Sequence, residues 1–141
     1  MRLYLESSAV LAWLFAEAAA AAVSAVLDDA EFVISSDVTR VECDRALIRA
    51  RTVGALSEPR AVDVQARLDA IASHWHVLRV EPAVVERARR PFPGEPIRTL
   101  DALHLASAVI ASGSVDDLAL LTLDERIRRA GFALGFRILP T

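Results

Sequence analysis

The segment Arg98–Ala111 has the sequence RTLDALHLASAVIA. Its apolar residues recur at i, i+3, i+6 and i+7 from Leu103 onward, which predicts a helix with a broad buried face. Thr99 is expected to cap the start of this helix. Asp101 then falls in the first turn, where free backbone N–H groups favour a carboxylate. Because an unpaired buried charge is costly, Asp101 is either a hydrogen-bonded structural acid or a ligand for a positive group.

Apolar segments and helical segments alternate on both sides of this helix. The pattern predicts strands at residues 3–5, 32–34, 76–80, 118–121 and 136–139. It predicts further helices at residues 9–15, 18–27, 38–51, 58–73, 82–90 and 124–130, with a loop at 91–96. The strands are apolar without alternation, as expected for a sheet covered on both faces. We therefore predict an α/β fold, a three-layer α/β/α sandwich with a mostly parallel central sheet of about five strands.

Length and composition predict a single globular domain over residues 1–141, with 54% hydrophobic and 25% charged residues. The longest apolar run, Ala9 to Val26, is interrupted by Glu17, so no membrane span is expected. No signal peptide is visible after Met1. The single cysteine, Cys43, cannot form an internal disulfide, which favours a reducing, cytoplasmic location.

The charge pattern excludes several classes of site. The formal net charge is −3, so the overall field gives no general case for nucleic-acid binding. All 16 basic residues are arginine and none is lysine. The chain therefore has no lysine for a Walker motif, a Schiff base or a receiver-type phosphoacceptor site.

Four acids are expected at the carboxyl end of the predicted sheet: Glu6, Glu42, Asp101 and Asp124. Converging carboxylates repel each other, so the arrangement needs a cation. Hard oxygen ligands with no histidine or cysteine alongside suit Mg²⁺ or Mn²⁺ and not zinc. Such an ion polarises a phosphoryl oxygen and activates water for in-line attack.

The chain resembles the PIN domain, and more narrowly the VapC toxins of bacterial toxin–antitoxin pairs. The resemblance lies in the segments YLESSA (4–9), VE (41–42), LDALHLA (100–106) and LTLD (121–124), and it extends over essentially the whole chain. It implies a ribonuclease that cuts RNA phosphodiesters with a Mg²⁺- or Mn²⁺-activated water. Family members dimerise, and a small antitoxin whose tail fills the active-site groove silences them.

The resemblance also assigns roles to individual residues. Glu6, Glu42, Asp101 and Asp124 fall on the family's catalytic, metal-binding acids. Ser8 and Thr122 match hydroxyl residues that support the first and last acids. From their positions beside the acids, we expect Arg45, Arg98 and Arg126 to contact RNA phosphates. His104 is expected to be a buried, hydrogen-bonded imidazole rather than a general base.

One residue departs from the family pattern. The first acid is usually aspartate, whereas this chain has Glu6. The extra methylene carries the carboxylate roughly 1.5 Å further, against a tolerance of about 0.5 Å for a catalytic shell. We expect Glu6 to remain a ligand because it keeps the charge and both oxygens. The alternative is a PIN-like module that binds RNA or an antitoxin with weak or no catalysis.

Overall fold

The computed structural model describes residues 1–141, which form one five-stranded sheet. The strands are β1 (Arg2–Leu5), β2 (Phe32–Ser36), β3 (His76–Leu78), β4 (Leu118–Leu121) and β5 (Ile138–Leu139). Their spatial order is β3-β2-β1-β4-β5, and every neighbouring pair is parallel. Parallel neighbours need crossover connections, which explains why helices separate the strands along the chain.

Seven helices cover the two faces of the sheet. They are α1 (Ser7–Leu14), α2 (Ala20–Asp28), α3 (Asp37–Thr52), α4 (Glu58–Ala72), α5 (Pro82–Ala88), α6 (Thr99–Ser112) and α7 (Glu125–Ala133). Helices α1 to α4 pack over one core cluster, and α5 to α7 pack over the other. The structure therefore confirms the predicted three-layer α/β/α sandwich.

The central strand β1 contributes to both cores. Leu3 and Leu5 are buried among α1 to α4, whereas Tyr4 is buried on the opposite face beneath α6. All three side chains are completely buried. This two-sided burial is the reason that the strand sequences lack an alternation of polar and apolar residues.

Several predicted boundaries were wrong by a few residues. Helix α1 begins at Ser7 rather than at residue 9, because the Glu6 side chain caps it by accepting from the Ser8 backbone N–H. Arg98, not Thr99, occupies the cap position of α6. Strand β3 ends at Leu78 because its pairing with β2 ends there, at Ser36.

None of the seven helices has both the length and the hydropathy of a membrane-spanning segment.

Candidate active site at the carboxyl edge of the sheet

The four predicted acids lie at the carboxyl edge of the central strands. Glu6 follows β1 directly, and Asp124 follows the neighbouring strand β4 and caps α7. Glu42 lies in the second turn of α3, and Asp101 lies in the first turn of α6. Their hydrogen bonds and ion pairs divide them into a Glu6–Glu42 pair and an Asp101–Asp124 pair.

The Glu6–Glu42 pair is joined by two side chains from different helices. The Ser7 hydroxyl donates to Glu6 Oε1 at 2.6 Å and lies 3.2 Å from Glu42 Oε1. His104 Nε2 hydrogen-bonds Glu42 Oε1 and lies 3.7 Å from Glu6 Oε1. One ligand atom from each of Glu6, Glu42 and His104 therefore falls within 4.8 Å of the other two.

The second carboxylate oxygen of Glu6, Oε2, is also held by hydrogen bonds. Its Oε2 accepts from the Ser8 backbone N–H at 3.1 Å, from the Ser8 hydroxyl and from the Thr122 hydroxyl at 2.7 Å. The Ser8 hydroxyl in turn accepts from the Leu123 N–H at 2.8 Å. Glu6 is only 3% exposed. These donors stabilise the ionised carboxylate and hold it in one orientation, because a buried charge is tolerated when it is hydrogen-bonded.

His104 links the acids to the core beneath α6. It is 1% exposed, and its Nδ1 lies 3.4 Å from the hydroxyl of Tyr4. Burial raises the pKa of Tyr4 well above its ordinary value, so this hydroxyl stays protonated. The two ring nitrogens of His104 therefore contact the Tyr4 hydroxyl on one side and the Glu42 carboxylate on the other.

The position of His104 agrees with the buried, hydrogen-bonded imidazole expected from the sequence. Its partner Glu42, 62 residues away, was not predicted. The available signal was the spacing of three residues between Asp101 and His104, which places both on one helix face. That spacing does not identify the partner of His104, which the structure shows to be Glu42 on α3.

The Asp101–Asp124 pair is bridged by an arginine. Arg98 Nε lies 3.3 Å from Asp101 Oδ2, and Arg98 Nη2 lies 3.9 Å from Asp124 Oδ2. Asp124 Oδ1 accepts from the backbone N–H groups of Arg126 and Ile127, which start α7. The helix start favours a carboxylate at this position.

The donor set fits a hard divalent cation. Glu42 Oε2, Asp101 Oδ1 and Asp124 Oδ2 accept no hydrogen bond. Carboxylate oxygens are the ligands that Mg²⁺ prefers, and Mn²⁺ accepts the same set. The residues present therefore fit the group that the sequence predicted. The group of ligand atoms that lie within 4.8 Å of one another comprises Glu6, Glu42 and His104, and Asp101 and Asp124 lie outside it. The expectation that no histidine lies alongside the acids was therefore wrong, because α6 brings His104 against Glu42.

Comparison with known proteins decides the family. The model of the PIN domain family matches residues 3–133. The chain belongs to the PIN domain family. It is 34% identical to ribonuclease VapC35 of Mycobacterium tuberculosis over 140 residues, covering 97% of this chain and 95% of the relative.

Solved structures show the same fold. The chain is similar to one in FitAcB from Neisseria gonorrhoeae, with a TM-score of 0.74, 19% identity and coverage of 98% of this chain and 96% of that one. It is also similar to a chain in a toxin–antitoxin complex from Klebsiella pneumoniae, with a TM-score of 0.60 and 16% identity. That match covers 88% of this chain and 87% of the other.

The three arginines expected near the acids occupy different positions in this PIN domain. Arg98 contacts the Asp101–Asp124 pair directly. Arg45 is exposed on α3, one turn after Glu42, and Arg126 is exposed in the first turn of α7. Neither Arg45 nor Arg126 forms an ion pair with a site acid. Both are free to contact an anion that approaches from solvent.

An apolar groove of about 820 Å³ runs from Glu42 along α3 of the PIN domain. Its lining includes the exposed side chains of Val41, Ile48, Val53 and Leu100. Val41 is 59% exposed and Val53 is 69% exposed, which is unusual for valines on one connected surface. This groove opens beside the acids and was not predicted from the sequence.

Proposed function

We propose that this PIN domain is a divalent-metal-dependent endoribonuclease, acting as the toxin of a toxin–antitoxin pair. The observation that carries the proposal is the presence of two carboxylate pairs, each with an oxygen that accepts no hydrogen bond, at the carboxyl edge of the sheet. The relative VapC35, which is called a ribonuclease, matches nearly the full length of the chain. The proposed reaction is hydrolysis of RNA phosphodiester bonds.

We assign Glu6, Glu42, Asp101 and Asp124 as the residues that hold the ion, which we propose to be Mg²⁺ or Mn²⁺. When bound, the ion supplies polarisation of a phosphoryl oxygen and activation of a water molecule. The chain's own contribution is to hold the carboxylates in place before the ion arrives. Glu6 Oε1 accepts from Ser7 alone and so keeps a lone pair for a ligand bond.

Hydroxyl groups provide the orientation in this proposal. Ser8 and Thr122 both donate to Glu6 Oε2, so this oxygen cannot rotate away when substrate binds. His104 restricts Glu42 in the same way from α6. Such support matters because catalytic groups must be held within about 0.5 Å of their productive positions.

Arginines supply the binding energy for the RNA backbone. Arg98 at the acids, Arg45 along α3 and Arg126 at the start of α7 surround the edge on different sides. A guanidinium binds phosphate oxygens through two parallel N–H groups. We propose that these arginines bind phosphates on either side of the scissile bond. Their positive charges would offset the repulsion between the RNA phosphates and the four acids.

We propose a small cognate antitoxin as the protein partner, with a segment that occupies the apolar groove beside Glu42. The K. pneumoniae chain of similar fold was solved in a toxin–antitoxin complex. The family resemblance further implies a homodimer. We also propose that residues 1–141 act as one domain and that the protein works in the cytoplasm, where RNA is present and a lone thiol such as Cys43 stays reduced.

Incubation of purified protein with RNA and Mn²⁺ tests the proposed activity. We expect discrete cleavage products that disappear when the metal is chelated with EDTA and return when Mn²⁺ is added back. Absence of products at saturating Mn²⁺ in the folded protein would overturn the proposal.

The second candidate function is a binding module without useful catalysis. The four donors on the Glu6 carboxylate favour it, because they satisfy much of the charge that a metal would use. Its signature is RNA or antitoxin binding by the wild type without products, combined with cleavage by the Glu6→Asp variant. Cleavage by the wild type itself argues against it.

A further inference from the structure

Arg98 occupies the position between two of the acids that we assign to the metal. We propose that Arg98 is a built-in competitor for the divalent cation: its guanidinium neutralises the Asp101–Asp124 pair in the metal-free protein and moves to an RNA phosphate when the cation binds. This inference rests on the proposed function and concerns the regulation of the same site.

The geometry places the guanidinium on the oxygens in question. Its Nε and Nη2 atoms lie 3.3 Å and 3.9 Å from Oδ2 of Asp101 and of Asp124. Arg98 is the one basic side chain that contacts both acids. A divalent ion placed among these oxygens would lie within a few ångströms of the guanidinium, and the two positive charges would repel each other.

The side chain of Arg98 is able to leave. It is 66% exposed, and it makes no capping hydrogen bond at the start of α6. Its departure therefore opens no core and breaks no backbone contact. The side chain of Asp101, in contrast, is only 10% exposed and its carboxylate has no other hydrogen-bond donor. An acid this buried requires a cation, so Arg98 can withdraw only when another positive charge replaces it.

The partners of Glu6 and Glu42 explain why the proposed exchange of Arg98 for a cation is confined to Asp101 and Asp124. Glu6 and Glu42 are held by the hydroxyl groups of Ser7, Ser8 and Thr122 and by His104. None of these donors is an arginine, so no guanidinium has to leave Glu6 or Glu42 when a cation binds. The competition therefore falls on Asp101 and Asp124 alone.

The released guanidinium lies at the mouth of the site. A phosphate beside a cation on Asp101 would lie within reach of Arg98, whose side chain is 66% exposed. Arginine forms strong bidentate contacts with phosphate. Metal loading and RNA binding are thus coupled: the cation frees the arginine, and the phosphate gives it a new partner.

Calorimetric titration with Mn²⁺ tests the competition without any measurement of activity. We compare the wild type with Arg98→Ala and, as a matched control, Arg129→Ala, which removes an exposed arginine that contacts no site acid. We expect Arg98→Ala to bind Mn²⁺ about 1.4-fold to fivefold more tightly, the range for loss of a solvent-exposed ion pair. Arg129→Ala should match the wild type. Equal or weaker Mn²⁺ binding by Arg98→Ala overturns the inference.

A spectroscopic arm keeps the test valid if the alanine variant folds poorly. The side-chain Nε–H resonance of Arg98, assigned by its loss in Arg98→Lys, should shift during titration of the wild type with Mg²⁺. A resonance that stays unchanged at saturating Mg²⁺ contradicts the inference. Suppose that the wild type binds Mn²⁺ and cuts RNA, but Arg98→Ala does not change Mn²⁺ affinity and the Arg98 resonance does not shift. The proposed competition is then wrong, whereas the proposed ribonuclease activity is supported. If the wild type neither binds Mn²⁺ nor cuts RNA, both fail.

Discussion

The two carboxylate pairs at the carboxyl edge of the sheet have matching burial and different partners. In each pair one side chain is nearly inaccessible and the other is between one quarter and one third exposed: Glu6 at 4% and Glu42 at 29%, Asp101 at 10% and Asp124 at 28%. Glu6 and Glu42 are held by hydroxyl groups and an imidazole, whereas the other two share an arginine. The two pairs therefore differ in the groups that contact their carboxylates, although the exposed fractions of their side chains are similar.

This difference in partners gives the two carboxylate pairs different roles in the proposed site. Hydroxyl groups and His104 position the Glu6–Glu42 pair without any arginine. The Asp101–Asp124 pair depends on a positive charge that can be exchanged. Helix α6 supplies a member of each half, Asp101 to the exchangeable pair and His104 to the fixed pair, so its register sets the relation between them.

The largest expected effect comes from removing a charge from the exchangeable pair. Asp101→Asn keeps the shape of the side chain but loses a metal-binding oxygen, so RNA cleavage should fall by about a hundredfold or more. RNA binding should persist, because Arg98 loses one of its two charged partners and becomes more available for phosphate. Cleavage rates and fluorescence anisotropy measure the two quantities.

The control for this variant is Asp63→Asn, which neutralises an exposed acid on α4. It should cut RNA at the wild-type rate. Wild-type cleavage by Asp101→Asn would remove Asp101 from the proposed metal site.

The next largest effect comes from loosening the fixed pair. Thr122→Val removes the hydroxyl that donates to Glu6 Oε2 at 2.7 Å while preserving the shape of the side chain. Loss of a group that orients a metal ligand typically reduces metal affinity or activity by about tenfold to a hundredfold. The free energy of unfolding should also fall by about 1–3 kcal/mol.

Chemical denaturation and cleavage assays give both values for Thr122→Val. The matched variant Thr52→Val removes an exposed hydroxyl that donates to the backbone of its own helix. It should change neither quantity appreciably. If both variants behave alike, the Thr122 hydroxyl does not position Glu6.

A smaller effect is expected for arginines outside both pairs. Arg45→Ala and Arg126→Ala each remove one proposed phosphate contact, so RNA affinity should fall severalfold. The dependence of affinity on salt should weaken by about one counterion for each variant. Mn²⁺ affinity should stay unchanged, in contrast to Arg98→Ala. Binding isotherms at several salt concentrations test this, and an unchanged salt dependence would place these arginines outside the RNA path.

The smallest effect is confined to alkaline pH. Burial raises the pKa of Tyr4, the single tyrosine of the chain, above its ordinary value of 10.0. The folded protein keeps this proton while the unfolded chain loses it, so stability should decline as the pH rises past 10. Tyrosinate absorbance should therefore appear together with the loss of circular dichroism. Titration near pH 10 with the fold intact would contradict the buried contact of Tyr4 with His104.

The sequence was sufficient to predict the layers of the fold and the edge that carries the acids. Uninterrupted apolar strands such as residues 118–121 predict a sheet covered on both faces, and a parallel sheet brings all carboxyl ends to one edge. It was insufficient for the start of α1. Serine is a preferred cap, yet the longer Glu6 side chain folds back to take that position.

The partners of the acids were also beyond sequence reasoning. The contact of His104 with Glu42 joins helices that are far apart in the chain and depends on the rotamers of both side chains. Arg98 was expected to face RNA, and its position on Asp101 and Asp124 depends on how the loop before α6 places its side chain. Spacing predicts which residues share a face, but it does not predict which of them form ion pairs.

A crystal structure of the wild type with bound Mn²⁺ would show whether both carboxylate pairs hold one ion, since anomalous scattering locates the ion without reference to activity. We expect one ion at the carboxyl edge with ligands from both pairs, including Glu6 and Asp101, and with Arg98 withdrawn from Asp101. An ion bound elsewhere, or an edge that stays metal-free with Arg98 still on Asp101 at saturating Mn²⁺, would contradict this expectation.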